Sequence, residues 1–196
     1  MSVIFFDFET GGVEDRHPNI QLAALAVDDQ WNEISSFEAK IRFNEADADP
    51  EALRINHYDA AVWNEKGQPA AYVLGRFDSF ISDYKSVKMV SKRTGNPYTV
   101  ARLAGHNVQT FDMPRLKRMY SLDRFMPAHP APLDTYQLAL WFFHGREKQP
   151  EDLKLPTLAK WFGFLHDPHD ALNDVRASMR VARTILGCKP QASKTS

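Results

Sequence analysis

Apolar residues dominate the first part of the chain and fall into three runs separated by polar turns. The first run, Val3–Phe8, is apolar on both faces almost throughout, which is the pattern of a strand in the middle of a sheet. The second run covers Ile20–Val27, and in the third, Ile34–Phe43, apolar and polar residues alternate. Gly11-Gly12 and Asp28-Asp29-Gln30 separate the runs, so the sequence predicts three strands in meander order.

Apolar residues recur at helical spacing after these strands. The last pattern is the clearest, because Leu172, Val175 and Met179 follow one another at steps of three and four. The predicted helices are Pro50–Ile55, Ala70–Tyr84, Phe111–Tyr120, Thr135–Phe143, Leu158–Phe162 and Leu172–Leu186, with short strands at Val87–Val90 and Leu103–His106. Strands followed by helices around further strands predict an α/β fold with a mixed sheet.

Length and composition indicate one domain. The chain has 196 residues without repeats or an internal linker, and we place the domain at 1–188 and a disordered tail at 189–196. A lone cysteine, Cys188, excludes internal disulfides and cysteine-rich zinc sites. Apolar runs are too short to span a bilayer, and the N-terminal residues lack the features of a secretory signal. We therefore expect a cytoplasmic protein without membrane contacts.

Two acidic residues, Asp7 and Glu9, follow the first apolar run. Residues two apart on a strand point to the same face, so their carboxylates converge. Buried carboxylates repel each other unless a cation lies between them, and Mg²⁺ and Mn²⁺ prefer such oxygen ligands. Gly11-Gly12 then lets a ligand approach the backbone. We favour a cation site; the alternative is that both acids end the strand and face solvent.

A second polar segment joins His106 and Asn107 to an acid five residues later, Asp112. Asp112 lies near the start of a predicted helix, where it is either a site carboxylate or an acid that the helix dipole favours. His106 and Asn107 are either site residues or hydrogen-bonded structural polar groups. The segment alone does not decide between these interpretations.

A third segment opens the last predicted helix. Asp174 lies one turn into it, and His169 lies in the preceding loop, where an imidazole can accept a proton from water. Two other interpretations stay open at this point. His166 and His169 could form a zinc pair, or His169-Asp170 could belong to a metal phosphohydrolase, although both need further ligands.

Together the three segments resemble the motifs of the DEDDh family of 3′–5′ exonucleases, which includes the proofreading subunits of bacterial replicative polymerases, oligoribonuclease and ribonuclease T. The first motif, Asp-x-Glu-Thr-x-Gly, matches residues 7–12. The second matches His106-Asn107 and Phe111-Asp112, and the third, His-x-x-x-x-Asp, matches His169 and Asp174. Leu133-Asp134-Thr135 also resembles a family segment. The resemblance extends over roughly residues 3–187, with the three motifs in the family's order.

The resemblance implies a ribonuclease H-like fold, with a central mixed five-stranded sheet flanked by helices, as an exonuclease domain. It also implies that two divalent cations, Mg²⁺ or Mn²⁺, are held by Asp7, Glu9, Asp112 and Asp174, and that His169 is the general base. In such a site one cation activates water and the other stabilises the leaving oxygen. The formal net charge is −1, and cations on these acids would make it positive, so near-neutrality does not exclude nucleic acid.

The resemblance further implies contacts to the terminal nucleotide. The implied substrate-binding residues are Thr10, Gly11, Asn56, His57, Tyr58, His106 and Asn107. Aromatic stacking on a base tolerates any sequence, so His57 or Tyr58 would suit this role. For Tyr58, a place in the core is an equally good interpretation.

Positive charge concentrates in the middle of the chain, at Lys85, Lys88, Lys92, Arg93, Arg102, Arg115, Lys117 and Arg118. Such a surface suits a phosphate backbone, and a solvated basic loop is the alternative. Lys92 and Arg93 lie in a basic loop, Ser91–Thr99, that is longer than the corresponding family connection. We expect this loop to guide the substrate strand or to contact a partner.

The sequence therefore predicts a metal-dependent 3′–5′ exonuclease that releases nucleoside 5′-monophosphates, with single-stranded DNA as the favoured substrate. An RNA-trimming enzyme is the main alternative, because no motif reads a 2′-hydroxyl. A non-catalytic nucleic-acid-binding module of the same fold would usually lack a carboxylate or the histidine. A zinc phosphohydrolase would need a ligand set richer in histidine.

Overall fold

The computed structural model describes residues 2–121 and 124–187 as an α/β fold. Its strands are β1 (Val3–Thr10), β2 (Asn19–Val27), β3 (Glu33–Lys40), β4 (Val87–Val90), β5 (Pro97–Val100), β6 (Leu103–Gly105) and β7 (Leu133–Asp134). Five of them form one sheet in the order β3-β2-β1-β6-β7, while β4 and β5 form a separate hairpin. Strand β1 pairs antiparallel with β2 and parallel with β6, so the prediction of a five-stranded mixed sheet is confirmed.

Helices flank this sheet at the predicted places, with one addition. They are α1 (Pro50–Ile55), α2 (Ala60–Lys66), α3 (Ala70–Asp83), α4 (Asp112–Tyr120), α5 (Thr135–Phe143), α6 (Leu155–Phe162) and α7 (Ala171–Ile185), with a 3₁₀ turn at Glu45–Asp47. Helix α2 was not predicted, because Trp63 is its only buried residue and gives no periodic pattern. Its start is fixed by Asp59, whose carboxylate accepts hydrogen bonds from the N–H groups of Ala61 and Val62.

Strand β1 lies at the centre of the sheet and sends alternate side chains to opposite faces. Ile4, Phe6 and Phe8 join the hydrophobic cluster that α3 and α4 cover. Phe5 points the other way, into the cluster that α7 covers. Asp7 and Glu9 continue the row of Phe5, so the alternation carries both carboxylates to the face beneath α7.

Several boundaries differ from the sequence prediction, and helix α6 begins three residues earlier, at Leu155 instead of Leu158. Strand β3 ends at Lys40 rather than at Phe43, because Ile41 forms a parallel bridge with Gln68. The predicted Ser91–Thr99 loop is shorter than expected, since Pro97–Val100 pairs with β4 as an antiparallel strand. The basic segment is therefore a hairpin.

Cys188 and the predicted tail at 189–196 lie outside the described residues. Within the described part of the chain, no helix is both long enough and apolar enough to cross a membrane.

Candidate active site

Three carboxylates meet where β1 passes beneath the first turn of α7. Oxygen atoms of Asp7, Glu9 and Asp174 all lie within 4.8 Å of one another. The first turn of α7 is fixed by Asp170, which accepts a hydrogen bond of 3.0 Å from the N–H of Asn173. Glu9 is only 6% exposed, so the interpretation in which it faces solvent is wrong.

The fourth predicted ligand, Asp112, is the first residue of α4 and is almost fully buried. Its Oδ1 accepts a hydrogen bond of 3.1 Å from the backbone N–H of Phe8, the residue between Asp7 and Glu9. This hydrogen bond holds Asp112 against β1, beside the two residues that carry the other carboxylates of the strand. The structure thus brings four acidic residues together, three of them closely enough to hold one ion.

Burial makes these negative charges costly. Burial, with added repulsion from Asp112 and Glu9, raises the pKa of Asp7 well above its ordinary value. Burial and repulsion from Asp174 raise the pKa of Glu9 to about 8. Burial also raises the pKa of Asp112 to about 7, against the opposing effect of the Phe8 N–H. At neutral pH the cluster therefore retains protons unless a cation replaces them.

The donor set fits a hard divalent cation. Its ligand atoms are carboxylate oxygens, the type that Mg²⁺ and Mn²⁺ prefer. The buried Oε1 of Glu9 has no hydrogen-bond partner among the described residues, and a bound cation would satisfy this orphaned acceptor. Among residues 2–121 and 124–187, the group of side chains that could hold a metal ion consists of the carboxylates of Asp7, Glu9 and Asp174. It includes no histidine. This composition does not favour a zinc pair of His166 and His169.

The two histidines before α7 occupy different environments. His166 is buried, with a side chain 3% exposed, and its Nε2 contacts Oδ1 of Asp174. His169 is exposed in a left-handed conformation (φ 69°), and its backbone N–H lies 3.4 Å from Oδ2 of Asp174. Both histidines thus contact one carboxylate, one through its ring and the other through its backbone. Sequence reasoning considered His166 only as a zinc ligand and missed its contact with Asp174.

His106 and Asn107 shape the loop that carries Asp112. The ring nitrogens of His106 contact Thr135 Oγ1 and the carbonyl oxygen of Leu153, each at 2.9 Å. Burial lowers the pKa of His106 below its ordinary value. The backbone N–H of Asn107 donates to Oδ1 of Asp134 at 3.0 Å. Both residues therefore make structural hydrogen bonds near the site.

Thr10 and Gly11 lie at the end of β1, next to the carboxylates. The Nδ2 of Asn56 donates to the carbonyl oxygen of Thr10 at 2.8 Å, which ties α1 to this strand end. A Cβ on Gly11 would lie 2.7 Å from Cβ of Ala48 and 3.0 Å from Cγ of Pro18. Only glycine fits here without displacing neighbours.

His57 and Tyr58 follow α1 but differ in their surroundings. His57 is exposed and left-handed (φ 51°). The Tyr58 ring lies 5.2 Å from that of Phe43 and 5.1 Å from that of Trp63, and its hydroxyl donates to Glu45 at 2.5 Å. Tyr58 is thus half-buried in an aromatic cluster, while the ring of His57 is open to solvent.

Arg115 does not belong to a basic surface, and this part of the sequence prediction is wrong. It is 2% exposed and lies one helical turn after Asp112. Its guanidinium donates to backbone carbonyls of the loop after β1: those of Gly12, Val13, Glu14 and His17, at 3.1–3.2 Å. Arg115 therefore connects helix α4 to the loop that follows Asp7 and Glu9.

The structure does not bring Lys92 and Arg93 to the carboxylates. They lie in the turn of the β4–β5 hairpin. At the base of this hairpin, Ser86 Oγ donates to the carbonyl oxygen of Ser2 at 2.9 Å, so the base lies at the start of β1. Asp7 and Glu9 lie towards the other end of that strand.

Sequence comparisons with known proteins match less than half of the chain. No protein-family model matches the chain. Over 81 residues, 41% of the chain, it is 33% identical to Protein NEN2 and 32% identical to Protein NEN1 of Arabidopsis thaliana. The aligned part corresponds to 16% and 17% of those proteins.

Solved structures match almost the whole chain. An exonuclease I structure superimposes with a TM-score of 0.73 and 20% identity, over 97% of this chain and 42% of that chain. A zinc-bound complex of E. coli exonuclease I with single-stranded DNA gives a TM-score of 0.72 at 19% identity, over 97% and 41%. Exonuclease I from Methylocaldum szegediense gives 0.71 at 21%, again over 97% and 41%. The chain thus spans less than half the length of these enzymes and has their ribonuclease H-like fold.

Proposed function

We propose that the chain is a metal-dependent 3′–5′ exonuclease that hydrolyses single-stranded DNA and releases nucleoside 5′-monophosphates. The observation that carries the proposal is the convergence of Asp7, Glu9 and Asp174, with Asp112 beside them. The fold shared with exonuclease I, including its complexes with single-stranded DNA, supports the choice of substrate. RNA is the second candidate, since no side chain of the site is assigned to a 2′-hydroxyl.

The four carboxylates would hold two divalent cations, Mg²⁺ or Mn²⁺. When bound, such cations lower the pKa of water and stabilise charge on the leaving oxygen. The protein itself orients two of these ligands: the N–H of Phe8 contacts Asp112, and the ring of His166 contacts Asp174. Preorganised ligands need little rearrangement, which favours catalysis.

His169 is the candidate general base. Its ring is exposed, and its backbone N–H lies next to the carboxylate of Asp174, so the residue stays beside the cluster. A neutral imidazole can accept the proton that an attacking water loses. Thr10, Gly11 and His57 are the nearest candidates for contacts with the terminal nucleotide, because the end of β1 and the end of α1 adjoin through Asn56.

The decisive experiment follows labelled oligonucleotides. DNA and RNA strands labelled at either end are incubated with the protein in Mg²⁺, Mn²⁺, Zn²⁺ or chelator. We expect mononucleotide release from the 3′ end in Mg²⁺ or Mn²⁺, faster on single-stranded DNA, and none in chelator. Asp7→Asn should abolish release, whereas Asp29→Asn, at an exposed acid in the β2–β3 turn, should not.

Other outcomes would assign a different function. Faster release from RNA would make the protein an exoribonuclease, and activity only in Zn²⁺ would favour a zinc phosphohydrolase. Binding of oligonucleotides without any hydrolysis would indicate a non-catalytic module. Release from the 5′ end, or undiminished activity in chelator, would contradict the proposal.

A further inference from the structure

The β4–β5 hairpin carries positive charge without acidic neighbours in sequence. No Asp or Glu occurs between Asp83 and Asp112, a segment that contains Lys85, Lys88, Lys92, Arg93 and Arg102. The first four of these bases are exposed, and the ion pairs of the described residues include none of them. Their charge is therefore not cancelled locally and is available to an anionic ligand.

An aromatic pair lies at the same hairpin. Tyr98 of β5 contacts Phe125 edge to face, with ring centroids 6.0 Å apart. Phe125 is 67% exposed, so its ring is accessible to a ligand. Bases next to exposed aromatic rings are the combination that binds single-stranded nucleic acid, because phosphates pair with the cations and nucleobases stack on the rings.

The position of the hairpin excludes contact with the scissile nucleotide. Its base is joined to the start of β1 by the Ser86–Ser2 hydrogen bond, and the N–H of Ile4 bonds to the carbonyl oxygen of Arg102. From Ile4 to Glu9 the strand rises about 17 Å. At about 3.4 Å per stacked nucleotide, the separation between Glu9 and the base of the hairpin corresponds to about five nucleotides.

Helix α4 connects the two places. It starts at Asp112 in the acidic cluster and runs for nine residues, about 13 Å, towards the segment that contains Phe125. The N–H of Ala101, just after β5, bonds to the carbonyl oxygen of Pro127, so the segment after α4 is tied to the base of the hairpin. Lys117 is exposed on α4 along this path.

We propose that the β4–β5 hairpin and Phe125 form a second nucleic-acid-binding surface, which holds the substrate strand several nucleotides 5′ of the bond that is cleaved. This inference rests on the proposed function for its orientation on the strand. It gives the enzyme a preference for strands long enough to reach from the carboxylates to the hairpin. A dinucleotide bound at the carboxylates is too short to reach the hairpin.

The test compares long and short substrates. Lys92→Glu/Arg93→Glu and Phe125→Ala are measured beside Lys66→Glu/Lys148→Glu, which makes the same charge change at two exposed lysines outside the hairpin. The long substrate is several nucleotides longer than the distance from the carboxylates to the hairpin. On this substrate we expect KM to rise in the double charge reversal and in Phe125→Ala, by about fivefold for the latter. Hydrolysis of a dinucleotide should stay at the wild-type rate. An unchanged KM on the long strand, or an equal loss on both substrates, would overturn the proposal.

A binding measurement separates this inference from the proposed activity. Anisotropy of a labelled oligothymidylate in chelator needs no turnover. The slope of log affinity against log salt should become shallower by about 1.4 in the double charge reversal, because two phosphate contacts are lost, and should keep its wild-type value in the control. If the charge reversal makes the slope shallower but the wild-type protein hydrolyses nothing, the hairpin surface is supported and the exonuclease proposal is wrong. A slope that does not change in the hairpin variant rejects the surface.

Discussion

The ring of His166 contacts the carboxylate of Asp174 from within the protein. His169, three residues later, has a left-handed backbone conformation. Asp174 is therefore held by the buried imidazole of His166 as well as by the helix that carries it. Partners that orient a metal-ligating side chain in this way typically change affinity or activity by about 10–100-fold when they are removed. We therefore expect His166 to act as a positioning residue for Asp174.

Replacing His166 should therefore weaken metal use more than folding. We expect His166→Ala to raise the Mn²⁺ concentration needed for half-maximal activity by about tenfold or more. His166→Gln, which keeps a donor, should recover part of the loss. The measurement is a Mn²⁺ titration of activity together with Mn²⁺ affinity from calorimetry. Equal Mn²⁺ affinities of His166→Ala and His166→Gln would show that the ring of His166 contributes only packing.

The exposed His169 should be needed for turnover and not for stability. Loss of a general base lowers kcat by about 10²–10⁴-fold. We expect His169→Ala to do so while the melting temperature and Mn²⁺ affinity stay close to wild type, because its ring is exposed. His144→Ala, at another exposed histidine, is the matched control and should keep wild-type kcat. A wild-type kcat in His169→Ala would remove it from the mechanism.

The metal-free protein should lose stability as pH rises. The pKa of Glu9 is raised from its ordinary 4.5 to about 8 by burial and by Asp174. Between these values the folded protein binds more protons than the unfolded chain, so the free energy of unfolding falls with rising pH. Mn²⁺ should flatten this dependence, since the cation replaces the protons. Melting curves across the window, with chelator and with Mn²⁺, measure both effects.

A charge-removing substitution provides the control for this pH dependence. Glu9→Gln should raise the melting temperature of the metal-free protein at the upper end of the window, by about 2–4 °C for each kcal/mol recovered, and should abolish activity. Glu65→Gln, at an exposed acid of α2, should leave both unchanged. A metal-free protein that becomes more stable as pH rises through the window would contradict the assignment of buried, protonated carboxyl groups.

Arg115 should be a major contributor to stability. Its removal leaves the carbonyls of Gly12, Val13, Glu14 and His17 without their donor. We expect Arg115→Ala to lower the free energy of unfolding by about 2–4 kcal/mol, with Arg115→Lys only a partial rescue, because an ammonium lacks the planar fork.

The neighbouring Arg118 is the matched control for Arg115. It is about half exposed and pairs with Asp15 at 3.1 Å, so Arg118→Ala should cost no more than about 1 kcal/mol. Chemical denaturation of the three variants measures the difference. Equal losses for Arg115→Ala and Arg118→Ala would show that the buried hydrogen bonds add nothing.

Much of the site could be predicted because it depends on local periodicity. Alternation along one strand is enough to put Asp7 and Glu9 on a common face, and helical phase places Asp174 in the first turn of α7. The structure confirms that these three carboxylates lie together. The order of strands and helices predicts a mixed sheet, whereas its five strands were implied by the family resemblance.

The remaining features depend on contacts between distant segments. The contact of His166 with Asp174 crosses an irregular loop, for which no periodic pattern exists. Arg115 looked like a surface base because its partners are backbone carbonyls about a hundred positions earlier, and sequence does not display such partners. The position of Lys92 and Arg93 depends on the pairing of β4 with β5, which places both residues in the turn of the hairpin and not at the carboxylates.

The order in which the sheet is assembled has a consequence for biosynthesis. The central strand leaves the ribosome before α4 and α7, which carry Asp112 and Asp174. A nascent chain that ends before α7 contains Asp7 and Glu9 but cannot complete the group of three oxygens. The group of three carboxylates therefore forms only after α7 has been made, and a translation product that stops before α7 lacks it.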